Sequence, residues 1–279
     1  MTNVPSSDDL AFYRQVAAEA ALAAGQLLQS VWARPRKIRA KGEAGNLVTD
    51  ADHGAEKLIL EILADQMPNH AILAEESGRL SLEEGANDYL WAIDPLDGTT
   101  NYAHGYPVAC VSIGLLHQGQ PIVGAIYDPF RAELFLGAKG LGATCNEQPL
   151  QVSAIAKVSD SLLVSGFAYD RRQTLDNNYA EFCYLTHLTR GVRRSGSAAL
   201  DLAAVASGRL DGYWERGIKP WDVAAGIVLL LEAGGQLSAY DGKPFAMKSG
   251  RILATNGLIH AELSMALQEA KTEYRTLFA

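Results

Sequence analysis

The stretch Trp91-Ala92-Ile93-Asp94-Pro95-Leu96-Asp97-Gly98-Thr99-Thr100-Asn101 constrains this chain more than any other. An apolar run of strand character turns abruptly into a polar loop. Pro95 fixes a backbone angle and Gly98 permits a tight turn, so Asp94 and Asp97 can face one locus. The same turn presents the amides and hydroxyls of Gly98, Thr99 and Thr100 together. Two aspartates held this close repel each other, and burying the pair is costly without compensation. A hard divalent cation with oxygen ligands is therefore the natural partner. Free amides and hydroxyls beside such an ion suit the oxygens of a phosphate.

Taken alone, Asp-Pro-x-Asp-Gly is also an ordinary turn sequence. It is not an EF-hand, because counting from Asp94 puts Pro95 second and Gly105 twelfth, where that loop needs a glutamate. Asp97-Gly98-Thr99 echoes the haloacid dehalogenase phosphatases, whose nucleophilic aspartate stands two residues ahead of the second. Here that position is Pro95 and Asp94 lies one residue too far back, so a covalent aspartyl-phosphate route ranks second among enzyme mechanisms.

The 279 residues allow one large domain or two modest ones, and 48% hydrophobic with 20% charged residues is the balance of an ordinary globular protein. With 24 basic against 32 acidic residues, the formal charge of -8 offers no field for nucleic acid or an anionic membrane. An acidic protein that handles phosphate needs local positive charge, which metal ions can supply. Met1 to Asp9 lacks the pattern of a signal peptide, and no segment reaches the roughly 18 apolar residues of a membrane span, so a cytoplasmic location is expected. Cys110, Cys145 and Cys183 are far apart and outside any CxxC, and the six histidines show no ligand spacing. Thiol and histidine chemistry are not expected.

Ser7 is expected to cap a helix running through about Val31, with Asp8 and Asp9 in its first turn. A second helix carries Leu58, Ile59, Ile62 and Leu63 and ends by Pro68, with Asp52 near its start as a candidate N-cap. Buried strands are expected at 71–74 and 89–93, each ending in carboxylates, Glu75-Glu76 and Asp94, at strand ends where open α/β sheets build their sites. Further strands at 108–116, 122–127 and 133–136 give residues 1–150 a helix-plus-antiparallel-sheet character. Residues 151–279 alternate strand and helix, with elements at 161–165, 177–188, 198–206, 212–215, 223–233, 236–240, 252–254 and 259–269. No Pro- or Ser-rich linker divides the two halves, so they are expected to pack closely and share a cleft.

Four segments together resemble the inositol monophosphatase family: residues 45–52, Ala74-Glu75-Glu76-Ser77, the Asp94 loop, and the run from Trp214 through Pro220-Trp221-Asp222 to Gly226. They fall in order and span nearly the whole chain. The resemblance implies an α/β (α+β) fold of αβαβα layers, shared with fructose-1,6-bisphosphatase. It also implies a frequent homodimer and Mg²⁺-dependent, Li⁺-sensitive hydrolysis of phosphomonoesters with two or three Mg²⁺ per site. Residue by residue, it implies that Glu75, Asp94 and the Leu96 carbonyl hold one metal, and that Asp94, Asp97 and Asp222 hold a second. Thr99, positioned by Asp52, matches the pair that orients and deprotonates the attacking water. Glu76 would complete a weaker third metal position or support the others, and Lys41 would lie near the phosphate.

Glu215 matches the family's acceptor for substrate hydroxyls, with Ser197 and Ala198 in the segment lining that pocket. Gly98 and Thr100 would complete the phosphate contacts. Asp222 also reads as a helix N-cap. Inositol monophosphate ranks first as substrate, with fructose bisphosphate or histidinol phosphate as alternatives and a regulatory or binding protein on the same scaffold as a further one. Arg171-Arg172 and Arg193-Arg194 are basic pairs able to meet a second phosphate, and equally able to be solvated or structural.

Overall fold

The computed structural model describes residues 4–32, 38–40, 47–80 and 88–277. Lys41, Gly45 and Asn46 lie outside the described residues. The first helix, α1 (Ser7–Val31), is capped by Ser6 and not by Ser7. Both serines can cap, but only Ser6 has an aspartate three positions into the helix. Asp9 Oδ2 accepts from the Ser6 N–H at 2.8 Å while the Asp9 N–H donates to Ser6 Oγ at 3.1 Å.

The second helix, α2 (Asp50–Gln66), repeats the device with Thr49 as its cap. Asp52 is therefore not the N-cap. It sits three positions further on, its carboxylate reaching back to the cap's N–H. Ahead of it, β1 (Ile38–Ala40) pairs antiparallel with β2 (Leu47–Thr49), a short pairing with no signal in the apolar pattern.

The eight-stranded sheet is built from β3 (Ala71–Ala74), β4 (Gly78–Leu80), β5 (Tyr89–Asp97), β6 (Cys110–His117), β7 (Gln120–Asp128), β8 (Glu133–Ala138), β9 (Gly142–Cys145) and β10 (Gln148–Pro149). Its order is β10-β9-β8-β7-β6-β5-β3-β4, and every pairing is antiparallel except β3 with β5. That exception matters for the site. Parallel pairing of Ala74 with Ile93 brings the ends of β3 and β5 together, so Glu75 and Asp94 emerge side by side. Short α3 (Thr99–Ala103) follows β5 directly.

The second sheet holds β11 (Leu162–Ser165), β12 (Gly191–Arg193), β13 (Gly212–Arg216), β14 (Gln236–Ser238) and β15 (Arg251–Thr255) in the order β12-β11-β13-β15-β14. Its helices are α4 (Tyr179–Leu188), α5 (Ala198–Ala206), α6 (Pro220–Glu232) and α7 (His260–Leu277). The layers run α1 and α2, first sheet, α5 and α6, second sheet, α4 and α7, the expected αβαβα arrangement.

The middle helix layer joins the sheets through one apolar cluster that unites Cys110, Ile126 and Phe135 with Leu200, Ala225 and Leu229. Two strand glycines make the contact close. A Cβ on Gly114 would stand 2.6 Å from Ala224 Cβ, and one on Gly124 would stand 2.8 Å from Ala225 Cα. Only bare backbone lets α6 lie this near the sheet. The approach brings the start of α6, with Asp222, up to the strand end that carries Asp94.

Candidate active site

Main-chain bonds inside α2, β5 and α6 orient three of the acids. Asp94, 2% exposed, accepts the Leu96 N–H on Oδ1 at 3.0 Å, closing the turn that Pro95 starts. Asp222 accepts the Lys219 N–H at 2.6 Å, so it is the third residue into its helix and Lys219 is the cap, contrary to its reading as the N-cap. Asp52 accepts the Thr49 N–H at 2.8 Å. Pro220 at the first turn of α6 needs no partner for the N–H it lacks.

Asp97 is held differently. Its Oδ2 accepts from Ser197 Oγ and from the Ala199 N–H, both at 2.7 Å, which ties the first half of the chain to the start of α5. Ser197 itself caps α5, so its hydroxyl is occupied within the protein. Gly98 has a left-handed backbone at φ 98°, and a Cβ there would meet the Val108 carbonyl at 2.8 Å. Both facts require glycine, and they let Thr99 start α3 directly beneath Asp97. Thr99, 9% exposed, places Oγ1 3.1 Å from Asp52 Oδ1 and 2.9 Å from the Leu96 carbonyl, so its one proton serves either acceptor.

A cavity of about 300 Å³ opens above these groups. Glu75, Asp94, Leu96, Asp97, Gly98, Thr99, Thr100 and Asp222 line it together with Ser197, Ala198, Asp201 and Glu215. Burial raises the Asp94 carboxyl well above the usual range, and repulsion from Glu75, Asp97 and Asp222 adds to it. Burial likewise raises Asp222, with Asp97 and Glu75 contributing. The Asp52 carboxyl is also raised, again chiefly by burial.

Glu215 accepts the Tyr213 hydroxyl at 2.8 Å, and burial pushes its pKa up to about 7. Glu76 is not among the cavity's lining residues. It lies behind the wall, its N–H donating to Glu56 Oε2 at 2.9 Å, and its charge raises Asp52.

The donor set fits a hard divalent cation. It consists of carboxylates and a carbonyl, all oxygen, and Asp94 and Asp222 form no ion pair among the described residues. Burial, and then repulsion from Glu75, Asp97 and Asp222, raises Asp94, and a dication held by these oxygens would favour its ionised form. Among the described residues no three acidic, histidine or cysteine side chains close on a single point as a finished cage.

Several lining groups carried no readable sequence signal. Asp201 is buried, accepts the Ser195 hydroxyl, and has its carboxyl raised by burial. Behind the lining, Asn101 Nδ2 donates to the Val108 and Ser195 carbonyls at 2.8 and 2.9 Å, which joins the two halves of the chain. Of the basic pairs, Arg171 and Arg194 line the cavity while Arg172 and Arg193 do not.

The chain is a hydrolase of phosphomonoesters, and acidic side chains line its cavity. The chain belongs to the inositol monophosphatase family, a generally metal-dependent group, whose model matches residues 9–273. It is 63% identical to a Synechocystis sp. protein named inositol-1-monophosphatase, over 94% of this chain and 91% of the relative. A solved inositol monophosphatase from Anabaena (Nostoc) sp. superposes with a TM-score of 0.86 at 61% identity, covering 94% of this chain and 97% of that one. A Pseudomonas aeruginosa protein named Nus factor SuhB is 41% identical over 86% of this chain and 90% of its own length.

Proposed function

We propose that this chain hydrolyses inositol monophosphate to inositol and phosphate, with Mg²⁺ held by Glu75, Asp94, the Leu96 carbonyl, Asp97 and Asp222. The observation that supports the reading is the gathering of these groups in the lining of a single cavity that also includes Glu215, with Thr99 hydrogen-bonded to Asp52. When bound, Mg²⁺ supplies a Lewis acid that makes water more acidic and offsets charge on the phosphate oxygens. In this reading, two or three ions bind per site, and Glu76 supports Glu75 and Asp52 from behind.

The protein's own steps follow from the geometry. Thr99 Oγ1 accepts a proton from the attacking water as its own proton passes to Asp52 Oδ1. The raised Asp52 carboxyl is suited to hold that proton. In this reading the N–H groups of Gly98, Thr99 and Thr100 and the Thr100 hydroxyl bind the phosphate, and family likeness assigns Lys41 the same task. Glu215 accepts hydrogen bonds from ring hydroxyls, beside the Ala198 backbone. No covalent enzyme intermediate is needed, because water itself attacks phosphorus as the phosphorus–oxygen bond to inositol breaks, and the departing inositol oxygen takes a proton from solvent water.

Family membership supports a homodimer, inhibition by Li⁺ and a cytoplasmic location as parts of the same proposal. Among the described residues no helix is long and apolar enough to cross a membrane. Residues 1–150 and 151–279 act in this reading as two halves of one catalytic unit, consistent with the apolar cluster they share. A binding or regulatory role beside catalysis is a second reading, favoured by the likeness to the protein named Nus factor SuhB.

A panel of inositol monophosphate, fructose bisphosphate, histidinol phosphate and phosphoadenosine phosphate, assayed for phosphate release with Mg²⁺, tests the proposal. Inositol monophosphate should show the highest kcat/KM. A bisphosphate in that place would shift the assignment to the Arg171 and Arg194 side of the cavity.

A further inference from the structure

Beyond the paired parts of β11 and β13, two chain segments run side by side along the outer edge of the cavity. Ser165 pairs with Trp214 in the parallel ladder, and the contacts continue past it. A Cβ on Gly166 would overlap the Glu215 carboxyl, and one on Gly217 would stand 2.5 Å from Ala168 Cβ. The next contact is ionic. Arg216 grips Asp170 with both prongs, Nη1 to Oδ1 at 2.7 Å and Nη2 to Oδ2 at 2.8 Å.

Asp170 lies in a single helical turn, Tyr169–Arg172, whose flanking residues Tyr169 and Arg171 both line the cavity. The turn's own support comes from the Arg171 N–H and Nη1, which donate to the Ala168 carbonyl at 3.2 Å, and from the Gln173 N–H, which donates to the Asp170 carbonyl at 2.7 Å. Arg216 is anchored from below. Its Nε lies 3.5 Å from Asp176 Oδ2, and Asp176 also meets Arg251 of β15 and Lys271 of α7. Only 15% of the Arg216 side chain is exposed, against 37% for Asp170, so the grip is fixed on the sheet side and reaches out to the turn.

We propose that Arg216 is a positioning residue that holds the Tyr169–Arg172 turn against the cavity, so that Tyr169 and Arg171 form the wall meeting the hydroxyl-bearing ring of the substrate. The inference rests on the polyol-phosphate reading above and deepens it. A forked guanidinium–carboxylate pair fixes orientation as well as distance, which a single-point ammonium contact does not. Asp170 is more than a third exposed, so its half of the ion pair contributes little to global stability. The grip should therefore show itself in geometry at the cavity and hardly at all in the melting temperature.

Two independent readings test this on the full chain. The first is trypsin cleavage after Arg171 or Arg172, mapped by mass spectrometry, in wild type, Asp170→Asn and Arg216→Lys, the last of which leaves the sequence of the turn unchanged. Cleavage should rise several-fold in both variants, and an unchanged rate would overturn the grip whatever the substrate. The second is kinetic. Asp170→Asn and Arg216→Lys should raise KM for inositol monophosphate about three- to tenfold, with kcat within twofold and an aryl phosphate lacking ring hydroxyls scarcely affected.

Equal changes on both substrates, or a melting temperature lowered in step with the kinetic loss, would reduce Arg216 to a structural role and overturn the inference. Should the wild-type protein cleave the aryl ester and ignore inositol monophosphate, the substrate reading fails, and the trypsin result still decides whether the grip exists.

Discussion

On the wall assigned to metal and water, Asp94 and Asp222 are each oriented by a main-chain N–H two or three residues away, at 3.0 and 2.6 Å, as is Asp52 behind Thr99, at 2.8 Å. On the other wall the fixing bonds are made by side chains, and some join distant parts of the chain. Tyr213 donates to Glu215, Ser195 donates to Asp201, and Arg216 reaches Asp170 across 46 positions. Asp97 joins the walls, its carboxylate bound by Ser197 and Ala199. The difference teaches a division of labour. Local backbone bonds hold three of the acids assigned to shared phosphate chemistry, while side-chain bonds, some local and some long-range, shape the surface assigned to the variable part of the substrate.

The largest expected effect lies on the first wall. Asp94→Asn deletes a bridging charge and keeps the side chain's size, so turnover should fall by more than about a hundredfold on every phosphoester, since even residues behind a metal's ligands cost about 10- to 100-fold. Its metal-free form should melt no lower than wild type, because burial and repulsion disfavour the ionised Asp94. Near-normal turnover would remove Asp94 from the site. Thr99→Val should cost about a hundredfold in kcat, at the low end of general-base effects, again on all substrates. A loss confined to inositol monophosphate would move Thr99 to the recognition wall and break the comparison.

Glu215→Gln should be smaller and selective. A hydrogen bond to a charged group contributes roughly 1.5–3 kcal/mol, so kcat/KM for inositol monophosphate should drop by about one to two powers of ten, with metal affinity unchanged. An aryl phosphate without the ring should lose far less. Equal losses would place Glu215 with the metal-binding acids.

The smallest effect is on stability. Because burial raises the folded-state pKa of Glu215 to about 7 from a usual 4.5, its ionised form costs stability. That cost is absent below about pH 4.5, grows as pH rises towards 7, and is fully present above it. In metal-free protein Glu215→Gln should therefore melt a few degrees higher than wild type at pH 8, with the gap closing towards pH 5. A pH-independent gap would show that Glu215 is not buried in this way.

The same contrast explains what could be read from the amino-acid sequence. Glu75, Asp94 and Asp97 follow apolar strand runs directly, and β3 has the expected bounds while β5 extends the expected strand to Asp97. Caps were harder. Ser6 displaces Ser7, Thr49 displaces Asp52, and Lys219 displaces Asp222, because an aspartate three residues into a helix bonds back to whatever precedes it. Strands such as β4, β9, β10 and β12 are too short to show periodicity and exist only through their partners. Asp201 and the Arg216–Asp170 pair left no trace, since a contact between remote side chains has no local pattern. Glu215 drew its role from the family resemblance alone.

The account's central claim is that the carboxylate wall works through bound metal. Phosphate release from inositol monophosphate, measured after exhaustive chelation and again after Mg²⁺ is restored, tests it most directly. The account predicts that chelation abolishes turnover and that Mg²⁺ brings it back, whereas undiminished hydrolysis by the chelated protein would contradict it.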